Sequence, residues 1–274
     1  MVSWWLGWLG TGPYLLVFGL ILVLFDPWLR LVHRLFGYRR HQEVLRFMNW
    51  CLYQSLWLNG CSISWKVHPR SFMAPSAKPD TAVRTAAAAP PHSDQNEGQP
   101  VRIFVVNHQS LNDIPPLIWK LRRHAPVLVS KAELASGIPS ISYNFKVGGV
   151  VAIQRKNPES ALQSMSALGQ RMARRNENML YFPEGTRARD GRIAPFKSGG
   201  LEQIMHHLTH FELVPIAVQN SWKLARWNFL PIPFGQCIRF HLLPSIPATG
   251  QDAKTLMQAA HHAISQHLQN TPMP

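Results

Sequence analysis

The first 25 residues constrain the fold of this chain more than any other segment. No charged side chain occurs from Val2 to Phe25, and the inner part, LLVFGLILVLF, is apolar apart from one glycine. A helix needs about 20 apolar residues to cross a bilayer, so the run is long enough to span a membrane or to enter it deeply. Aromatic residues flank the run, as they do at membrane–water interfaces: Trp4, Trp5, Trp8, Tyr14 and Trp28.

The run is typical of a retained anchor rather than of a cleaved signal peptide. No Lys or Arg precedes Arg30, and DPW follows the run where a signal peptide has small residues. Gly10, Gly12 and Pro13 interrupt the run, so a re-entrant or interfacial helix is an open alternative to a full span. Basic residues crowd the C-terminal side, which by the positive-inside rule places the rest of the chain in the cytosol: Arg30, Arg34, Arg39 and Arg40.

Two further compositional changes suggest how the chain is divided. Residues 28–58 mix apolar residues with Arg and His, which predicts one or two amphipathic basic helices broken near Gly37. These helices can pack on the protein, on the membrane or on both, and the adjoining anchor favours membrane contact. Residues from about 69 to 100 are rich in Ala, Pro and small polar types and cannot fold alone. We therefore predict a membrane anchor with basic amphipathic helices at 1–61, and a second domain at 62–274 with a flexible insertion at about 69–100.

Short apolar runs alternate with helical patterns along the second domain. The predicted strands are 63–67, 101–106, 126–129, 150–153, 179–182, 213–218 and 238–243. The predicted helices are 114–123, about 158–176, 199–208 and 253–268. The helix at 158 has a clear start, because Asn157 is a good cap and Pro158 and Glu159 suit a first turn. The alternation predicts an α/β fold: a mixed, largely parallel sheet flanked by helices, preceded by the N-terminal hydrophobic, membrane-anchoring helical segment.

The charge balance and the cysteines narrow the class of partner and the compartment. The chain has 28 Lys and Arg against 14 Asp and Glu, a formal net charge of +14. Such an excess favours an anionic partner: nucleic acid, lipid headgroups or a phosphorylated substrate. Cys51, Cys61 and Cys237 are widely spaced and lack a CxxC pair, so neither a disulfide framework nor a zinc site is predicted. Free thiols fit a cytosolic domain.

The stretch VVNHQSLND places a polar turn directly after a predicted strand. Ligands of open α/β sheets lie beyond the carboxyl ends of strands, so His108 and Asp113 in this turn are candidate catalytic residues. They can meet if His108 lies in the turn and Asp113 caps the helix that begins at Ile114. Asp113 then orients the imidazole and leaves one nitrogen to take a proton from a hydroxyl. The spacing alone favours a plainer interpretation, a helix cap beside a buried turn residue.

Two more polar clusters follow predicted strands. FPEGTR comes at the end of strand 179–182 and combines a carboxylate, a glycine and Arg187, whose guanidinium suits bidentate binding of phosphate. Lys131 to Glu133 follows strand 126–129. Taken singly, FPEGTR is also typical of an ordinary surface turn.

The two turns together resemble the glycerolipid acyltransferases. NHQSLND matches the NHxxxxD box of that family, and FPEGTR, about seventy residues later, matches its FPEGTR box. The chain is most similar to the 1-acylglycerol-3-phosphate (lysophosphatidic acid) acyltransferases, over about residues 62–218, with KAEL, GGVVAIQR, FKSGG and VPI in family positions. The ordered pair of boxes is far more specific than either alone, and it favours the catalytic interpretation.

The resemblance implies a reaction and a set of site residues. The implied reaction moves a fatty acyl chain from a thioester, acyl-CoA or acyl carrier protein, to the sn-2 hydroxyl of lysophosphatidic acid at a membrane bilayer, giving phosphatidic acid. His108 is the implied general base and Asp113 its orienting partner. No cofactor and no metal are implied, because a base-assisted hydroxyl can attack an activated thioester directly. The implied acceptor-binding residues are Lys131, Arg155, Glu184, Gly185, Thr186 and Arg187.

The sequence departs from the family pattern at two positions. Gln154 precedes Arg155 where the family commonly has an acidic residue, and Ala188 follows FPEGTR where serine is frequent. The segment before the first box is also longer than is usual in the family.

Other functional classes find little support in the sequence. Neither the GxSxG elbow of serine hydrolases nor the GxxxxGK[ST] phosphate loop occurs. No RNP-like or zinc-finger pattern supports nucleic-acid binding. The histidine pairs at 206–207 and 261–262 are better interpreted as solvated helix faces than as metal ligands. Two alternatives stay open: acylation of another lysolipid, and a catalytically silent lipid-binding protein of the same fold.

Overall fold

The computed structural model describes residues 2–72, 100–154, 156–208 and 210–271, with side chains from Trp5 onward. Most of the predicted insertion, residues 73–99, and Arg155 lie outside the described residues. The strands are β1 (Ser62–Val67), β2 (Val101–Val106), β3 (Val127–Lys131), β4 (Val150–Ile153), β5 (Met179–Tyr181), β6 (Phe211–Gln219), β7 (Cys237–Leu242) and β8 (Ile246–Pro247). The helices are α1 (Val2–Gln54), α2 (Ile114–Lys120), α3 (Ile141–Lys146), α4 (Pro158–Arg175), α5 (Gly199–Met205) and α6 (Ala253–Asn270).

The strands form one sheet in the order β1-β7-β6-β2-β5-β3-β4, with β8 also paired to β6. Every pairing is parallel except β6 with β7 and β6 with β8. The predicted fold class, a mixed and largely parallel sheet flanked by helices, is confirmed. β2 lies between β5 and β6 at the centre, and all six of its residues are buried, as expected for a parallel strand covered on both faces.

Helices cover the two faces of the sheet. Phe104 and Val106 point to a first face, where the N-terminal segment and α2 pack. Ile103 and Val105 point to a second face, which α4, α5 and α6 cover. The alternation along β2 follows from the two-residue period of a strand, and it places the N-terminal segment on one side of the sheet only.

The N-terminal segment is one helix with a single sharp change of direction. α1 continues through Pro13 and Pro27 and bends at Gly37, whose φ of 76° lies in the left-handed region that favours glycine. The predicted break near Gly37 is confirmed, and the helix continues without a break through Gly10, Gly12 and Pro13. Gly10 instead permits close packing, because a Cβ there would overlap Asn59. Tertiary contact overrides local helix propensity here.

The two arms of α1 form a hairpin that packs against the domain. We call residues 2–36 the first arm and residues 38–54 the second arm. Leu22 and Leu29 of the first arm pack in one cluster with Leu45 and Met48 of the second. α1 is also the helix, within the described chain, that is long and apolar enough to cross a membrane. Length and composition alone therefore leave both a full span and a surface hairpin possible.

Most boundaries of the helices and strands agree with those predicted from the sequence, but two short elements were not predicted. Asn157 caps α4 by accepting a hydrogen bond from the Ser160 N–H (3.0 Å), and Asn176 ends that helix in a left-handed conformation. α2 and α5 end three residues earlier than predicted, because turns follow Lys120 and Met205. α3 and β8 were not predicted, since six residues and two residues are too short to show a period.

Candidate active site

Three polar clusters meet at one edge of the sheet. β2 pairs with β5, and β5 pairs with β3, all in parallel. The turns after these three strands therefore leave the sheet at the same carboxyl edge, where ligands of open α/β sheets bind. This arrangement brings together the NHQSLND turn, the FPEGTR turn and Lys131, as the sequence predicts.

His108 and Asp113 form a hydrogen-bonded pair in the first turn. The His108 Nδ1 lies 2.9 Å from Asp113 Oδ2, and the side chains are 10% and 0% exposed. Asp113 does not cap α2, which corrects the expected geometry. A short 3₁₀ turn, Leu111–Asp113, precedes α2, and Ser110 caps that turn by accepting the Asn112 N–H at 3.2 Å. Because the helical start moves to Ser110, the Asp113 side chain is free to reach back toward His108.

The surroundings of Asp113 fix which imidazole nitrogen carries the proton. Asp113 Oδ2 also accepts the backbone N–H groups of Gln109 at 2.7 Å and Ser110 at 2.8 Å. Because this carboxylate oxygen accepts hydrogen bonds, Nδ1 of His108 is the donor of their mutual hydrogen bond. Nε2 is then the acceptor nitrogen, and no group of the described chain forms a hydrogen bond with it. The imidazole ring rests 4.3 Å from the ring of Phe182.

Glu184 ties the two turns together through the backbone. Its Oε1 accepts the His108 N–H at 2.7 Å, and its Oε2 accepts the Ala194 N–H at 2.9 Å. A further bond joins the Ala188 N–H to the His108 carbonyl at 2.7 Å. Burial raises the pKa of Glu184 to about 7, although the two N–H donors oppose that shift. The sequence predicts Glu184 in the acceptor site, and the structure uses both oxygens to hold the turn that carries His108.

Three side-chain contacts join the first turn to the surrounding elements. The Asn107 amide donates to the Val218 carbonyl at 3.0 Å and accepts the Val218 N–H at 2.7 Å. Gln109 accepts the Trp222 N–H at 3.3 Å. The Tyr14 hydroxyl of α1 donates to Asn112 Oδ1 at 2.8 Å. The last contact joins residues 98 apart in the chain, and no local sequence pattern could have indicated it.

Cationic groups surround the second turn. Lys131 ends β3 beside β5, and Thr186 and Arg187 follow the turn itself; all three are exposed. Gly185 adopts a φ of 71°, and a Cβ built there would lie 3.5 Å from Lys197 Nζ. Lys197 thus lies over the turn, although the FKSGG pattern that contains it predicts no role for this residue. Arg155, the remaining predicted residue, lies outside the described residues.

A cleft of about 580 Å³ lies elsewhere, between α1, α3 and β4. None of the described candidate residues lines it. The candidate site is therefore the open surface at the strand ends rather than this cleft. The cleft is lined by Arg30, Ala135, Ser142, Tyr143, Phe145, Lys146, Val150 and Ala152.

Comparisons with known proteins show which family this chain resembles. Residues 91–219 match the family described as Acyltransferase. A 1-acyl-sn-glycerol-3-phosphate acyltransferase of Limnanthes douglasii is 31% identical over 134 residues, 48% of this chain and 46% of that protein. The beta form of the same enzyme from Homo sapiens is 29% identical over 178 residues, 62% of each chain. The aligned region thus spans about half the length of these curated relatives.

A solved structure extends the likeness to nearly the whole fold. The 1-acyl-sn-glycerophosphate (LPA) acyltransferase PlsC from Thermotoga maritima superposes with a TM-score of 0.68 over 97% of both chains, at 16% sequence identity. The resemblance to the glycerolipid acyltransferases, recognised from the two boxes, is confirmed.

Proposed function

We propose that this chain transfers a fatty acyl group from an acyl thioester to the sn-2 hydroxyl of 1-acylglycerol-3-phosphate. The observation that carries the proposal is the His108–Asp113 pair, 2.9 Å apart, at the carboxyl edge of the sheet. The pair lies inside the segment that matches the acyltransferase family. The names of the relatives support lysophosphatidic acid as the acceptor.

The protonation state of His108 suits direct acyl transfer. Nε2 accepts the proton of the acceptor hydroxyl as its oxygen attacks the thioester carbonyl, and Asp113 stabilises the imidazolium that forms. Collapse of the tetrahedral intermediate breaks the C–S bond, and the departing thiolate takes the proton back from Nε2. One ester and one thiol result, and no acyl-enzyme is required.

The cationic groups beside the second turn suit the phosphate of the acceptor. Arg187 can present two parallel N–H donors to phosphate. Lys197 approaches the same turn from the segment before α5, and Lys131 ends β3 at the same edge of the sheet. We assign the phosphate to these three residues, with Thr186 and Arg155 as further contributors. Glu184 and Gly185 shape this site by holding the turn.

The exposure of the first arm supports a hairpin that lies in one leaflet of the bilayer. One side of the arm is exposed and apolar at Leu16, Leu20 and Leu24. The opposite side is buried against the protein from Thr11 to Leu29. A helix packed along its length on a water-exposed domain cannot also be surrounded by lipid, so the apolar side alone faces the bilayer. The basic residues after residue 28 favour the cytosolic leaflet.

A direct assay of acyl transfer tests the proposal. We expect His108→Ala, purified in detergent, to lose acyl transfer by a factor of about 10² to 10⁴, the usual contribution of a general base. His262→Ala, an exposed histidine on α6, is the matched control. Product analysis with acyl-CoA and with acyl carrier protein, against several lysolipids, identifies donor and acceptor. Near-normal acyl transfer by His108→Ala would contradict the proposal. An inactive wild-type chain would instead favour a catalytically silent lipid-binding protein.

A further inference from the structure

Three distant chain segments meet beside the start of α1. The Thr11 hydroxyl accepts the Ile232 N–H at 2.8 Å. The Asn59 amide donates to the carbonyls of Ile232 at 2.9 Å and Pro233 at 3.3 Å. The Gly235 N–H donates to the Asn59 carbonyl at 3.0 Å. Residues 5–11, 57–60 and 226–235 are therefore locked into one surface by hydrogen bonds.

The outward side of this surface is apolar and rich in aromatic rings. Trp5 is 67% exposed and Trp57 is 77% exposed, and Trp227 and Leu230 of the third segment are 41% and 53% exposed. We call the whole set the aromatic patch. Its members are Trp5, Leu6, Trp8, Leu9, Trp57, Leu58, Trp227, Leu230 and Phe234.

The charge of the three segments distinguishes between possible partners. They contain no Asp or Glu, and Arg226 is their one charged residue. The Arg226 guanidinium lies 5.5 Å from the Trp227 ring and 6.0 Å from the Trp222 ring. An indole ring beside a cation suits the headgroup level of a bilayer, where the ring meets the acyl boundary and the cation meets lipid phosphate.

The aromatic patch also continues the apolar side of the first arm. Leu9 belongs to the patch, and Leu16, Leu20 and Leu24 follow it along the same helix. Soluble monomers rarely expose apolar surface of this extent unless it binds something. A second copy of the chain could bury the aromatic patch. A protein interface, however, would not explain why the patch is rich in Trp and has Arg226 as its one charged neighbour within the three segments.

We propose that residues 226–235 are a second membrane-contact element, which enters the headgroup region of the bilayer together with Trp57 and the start of α1. This inference deepens the proposed function, because it places the bilayer next to the reaction site. Trp222, four residues before Arg226, donates its N–H to Gln109 in the turn that carries His108. An acceptor hydroxyl near the lipid headgroups is then close to the catalytic turn.

Vesicle flotation of the full chain tests the membrane contact without measuring catalysis. We expect Trp227→Ser/Leu230→Ser to lower partitioning onto phosphatidylcholine vesicles by about tenfold or more, because two large apolar side chains no longer leave water. Trp57→Ser, in a different segment of the same patch, should lower it severalfold. Leu162→Ser is the matched control, since Leu162 is an exposed leucine on α4 at the second face of the sheet.

Arg226→Gln tests the charge component separately. We expect a loss of about fivefold on vesicles that contain phosphatidylglycerol, the usual contribution of one basic residue near an anionic surface, and little change on pure phosphatidylcholine. All variants should keep the wild-type Tm, because the substituted side chains are exposed.

Two results would overturn the inference. The first is unchanged flotation of both patch variants. The second is a change of oligomeric state in detergent with flotation unaffected, which would assign the patch to a second copy of the chain. Because flotation does not depend on acyl transfer, a failure of the proposed function would leave this test valid.

Discussion

The central strand β2 carries a buried ionisable pair at each end, and we assign the two pairs different roles, a structural one at the amino end and the proposed catalytic one at the carboxyl end. At the amino end, Arg102 Nε lies 2.6 Å from Glu212 Oε1, and both side chains are 5% exposed. At the carboxyl end, His108 and Asp113 lie in the turn just beyond the strand. Both pairs depend on the same strand for their position, so their differences show what separates a structural pair from a reactive one.

The amino-end pair is locked by the strand ladder itself. Arg102 and Glu212 stand directly opposite each other in the β2–β6 register, and the Phe72 ring lies 5.4 Å from the guanidinium. The carboxyl-end pair is held only by turn residues, and one imidazole nitrogen stays available to a ligand. A pair that is fixed between paired strands stabilises the fold, whereas a pair on a braced turn retains a free reactive atom.

The largest expected effect is on the carboxyl-end pair. Asp113 Oδ2 takes part in all three hydrogen bonds, with His108 and with the Gln109 and Ser110 N–H groups, so the amide oxygen of Asp113→Asn can keep them. The substitution still removes the negative charge that stabilises the imidazolium formed in the proposed reaction. We expect acyl transfer to fall by about 10²-fold or more, within the usual contribution of a general base. Steady-state kinetics and a denaturation curve check this. A variant of full activity would show that the charge of Asp113 does not assist His108.

The amino-end pair should give the converse result. Glu212→Gln leaves the Arg102 cation buried without a counter-charge, and we expect a loss of about 3–5 kcal/mol in the free energy of unfolding. The kcat/KM of the folded fraction should stay at the wild-type level. Arg102→Met/Glu212→Leu should recover most of the stability, because an apolar pair replaces both charges. A lower kcat in fully folded Glu212→Gln would show that the amino-end pair also affects catalysis. That result would contradict the difference drawn between the two ends of β2.

Arg187 tests whether the carboxyl edge binds phosphate. We expect Arg187→Ala to raise the acceptor KM by roughly 10- to 100-fold with a much smaller change in kcat, because charge-assisted hydrogen bonds contribute about 1.5–3 kcal/mol. Arg174→Ala, on the exposed side of α4, is the matched control. An unchanged KM for lysophosphatidic acid would remove Arg187 from the phosphate site.

Glu184 gives the carboxyl edge a pH-dependent stability. Its pKa in the folded protein, about 7, lies above the ordinary value of 4.5, so the folded state binds this proton more tightly than the unfolded state. The contribution of this proton to the free energy of unfolding is fully present below about pH 4.5 and is lost as the pH rises through about 7. We expect the difference in unfolding free energy between the wild type and Glu184→Gln to fall by about 1–3 kcal/mol over that range. A flat difference curve would contradict the raised pKa.

The smallest expected effect concerns the link between α1 and the catalytic turn. Tyr14→Phe removes the hydroxyl that donates to Asn112, which should cost about 1 kcal/mol of stability and lower kcat severalfold with little change in KM. Tyr143→Phe, which removes a hydroxyl bonded to His33, is the matched control. An equal kcat in Tyr14→Phe and Tyr143→Phe would show that the Tyr14–Asn112 hydrogen bond stabilises the fold but does not position the catalytic turn.

The sequence predicts the features that depend on local patterns. The central strands are predicted because their apolar runs are long and bounded by polar turns, and α4 is predicted because Asn157 and Pro158 mark its start. The meeting of His108 with Asp113 was also predicted, although by the wrong cap. Choosing between Ser110 and Asp113 as the cap requires the 3₁₀ geometry, which neighbouring packing decides.

Contacts between segments that are far apart in the chain could not be predicted from the sequence. The two backbone partners of Glu184 could not be predicted, because a carboxylate in a turn carries no mark of the N–H groups that it accepts. Tyr14 was interpreted as an interface aromatic, yet its hydroxyl reaches Asn112. The segment 226–235 gave no membrane signal, since its apolar side chains form a surface only after Asn59 and Thr11 hold it in place.

The hydrogen bond from Ile232 to Thr11 also sets an order of events during synthesis. Its two residues are 221 positions apart, and a ribosome that adds about 5–20 residues per second needs on the order of 10–40 seconds to make the second after the first. For most of that interval the first arm is complete, whereas the sheet that packs on its buried side is incomplete, because β7, which lies between β1 and β6, follows Ile232 in the chain. A nearby membrane would be the first apolar environment available to the first arm. The proposed membrane contact of the first arm can therefore form before the domain has folded, and the remainder of the chain would then assemble beside the proposed substrate.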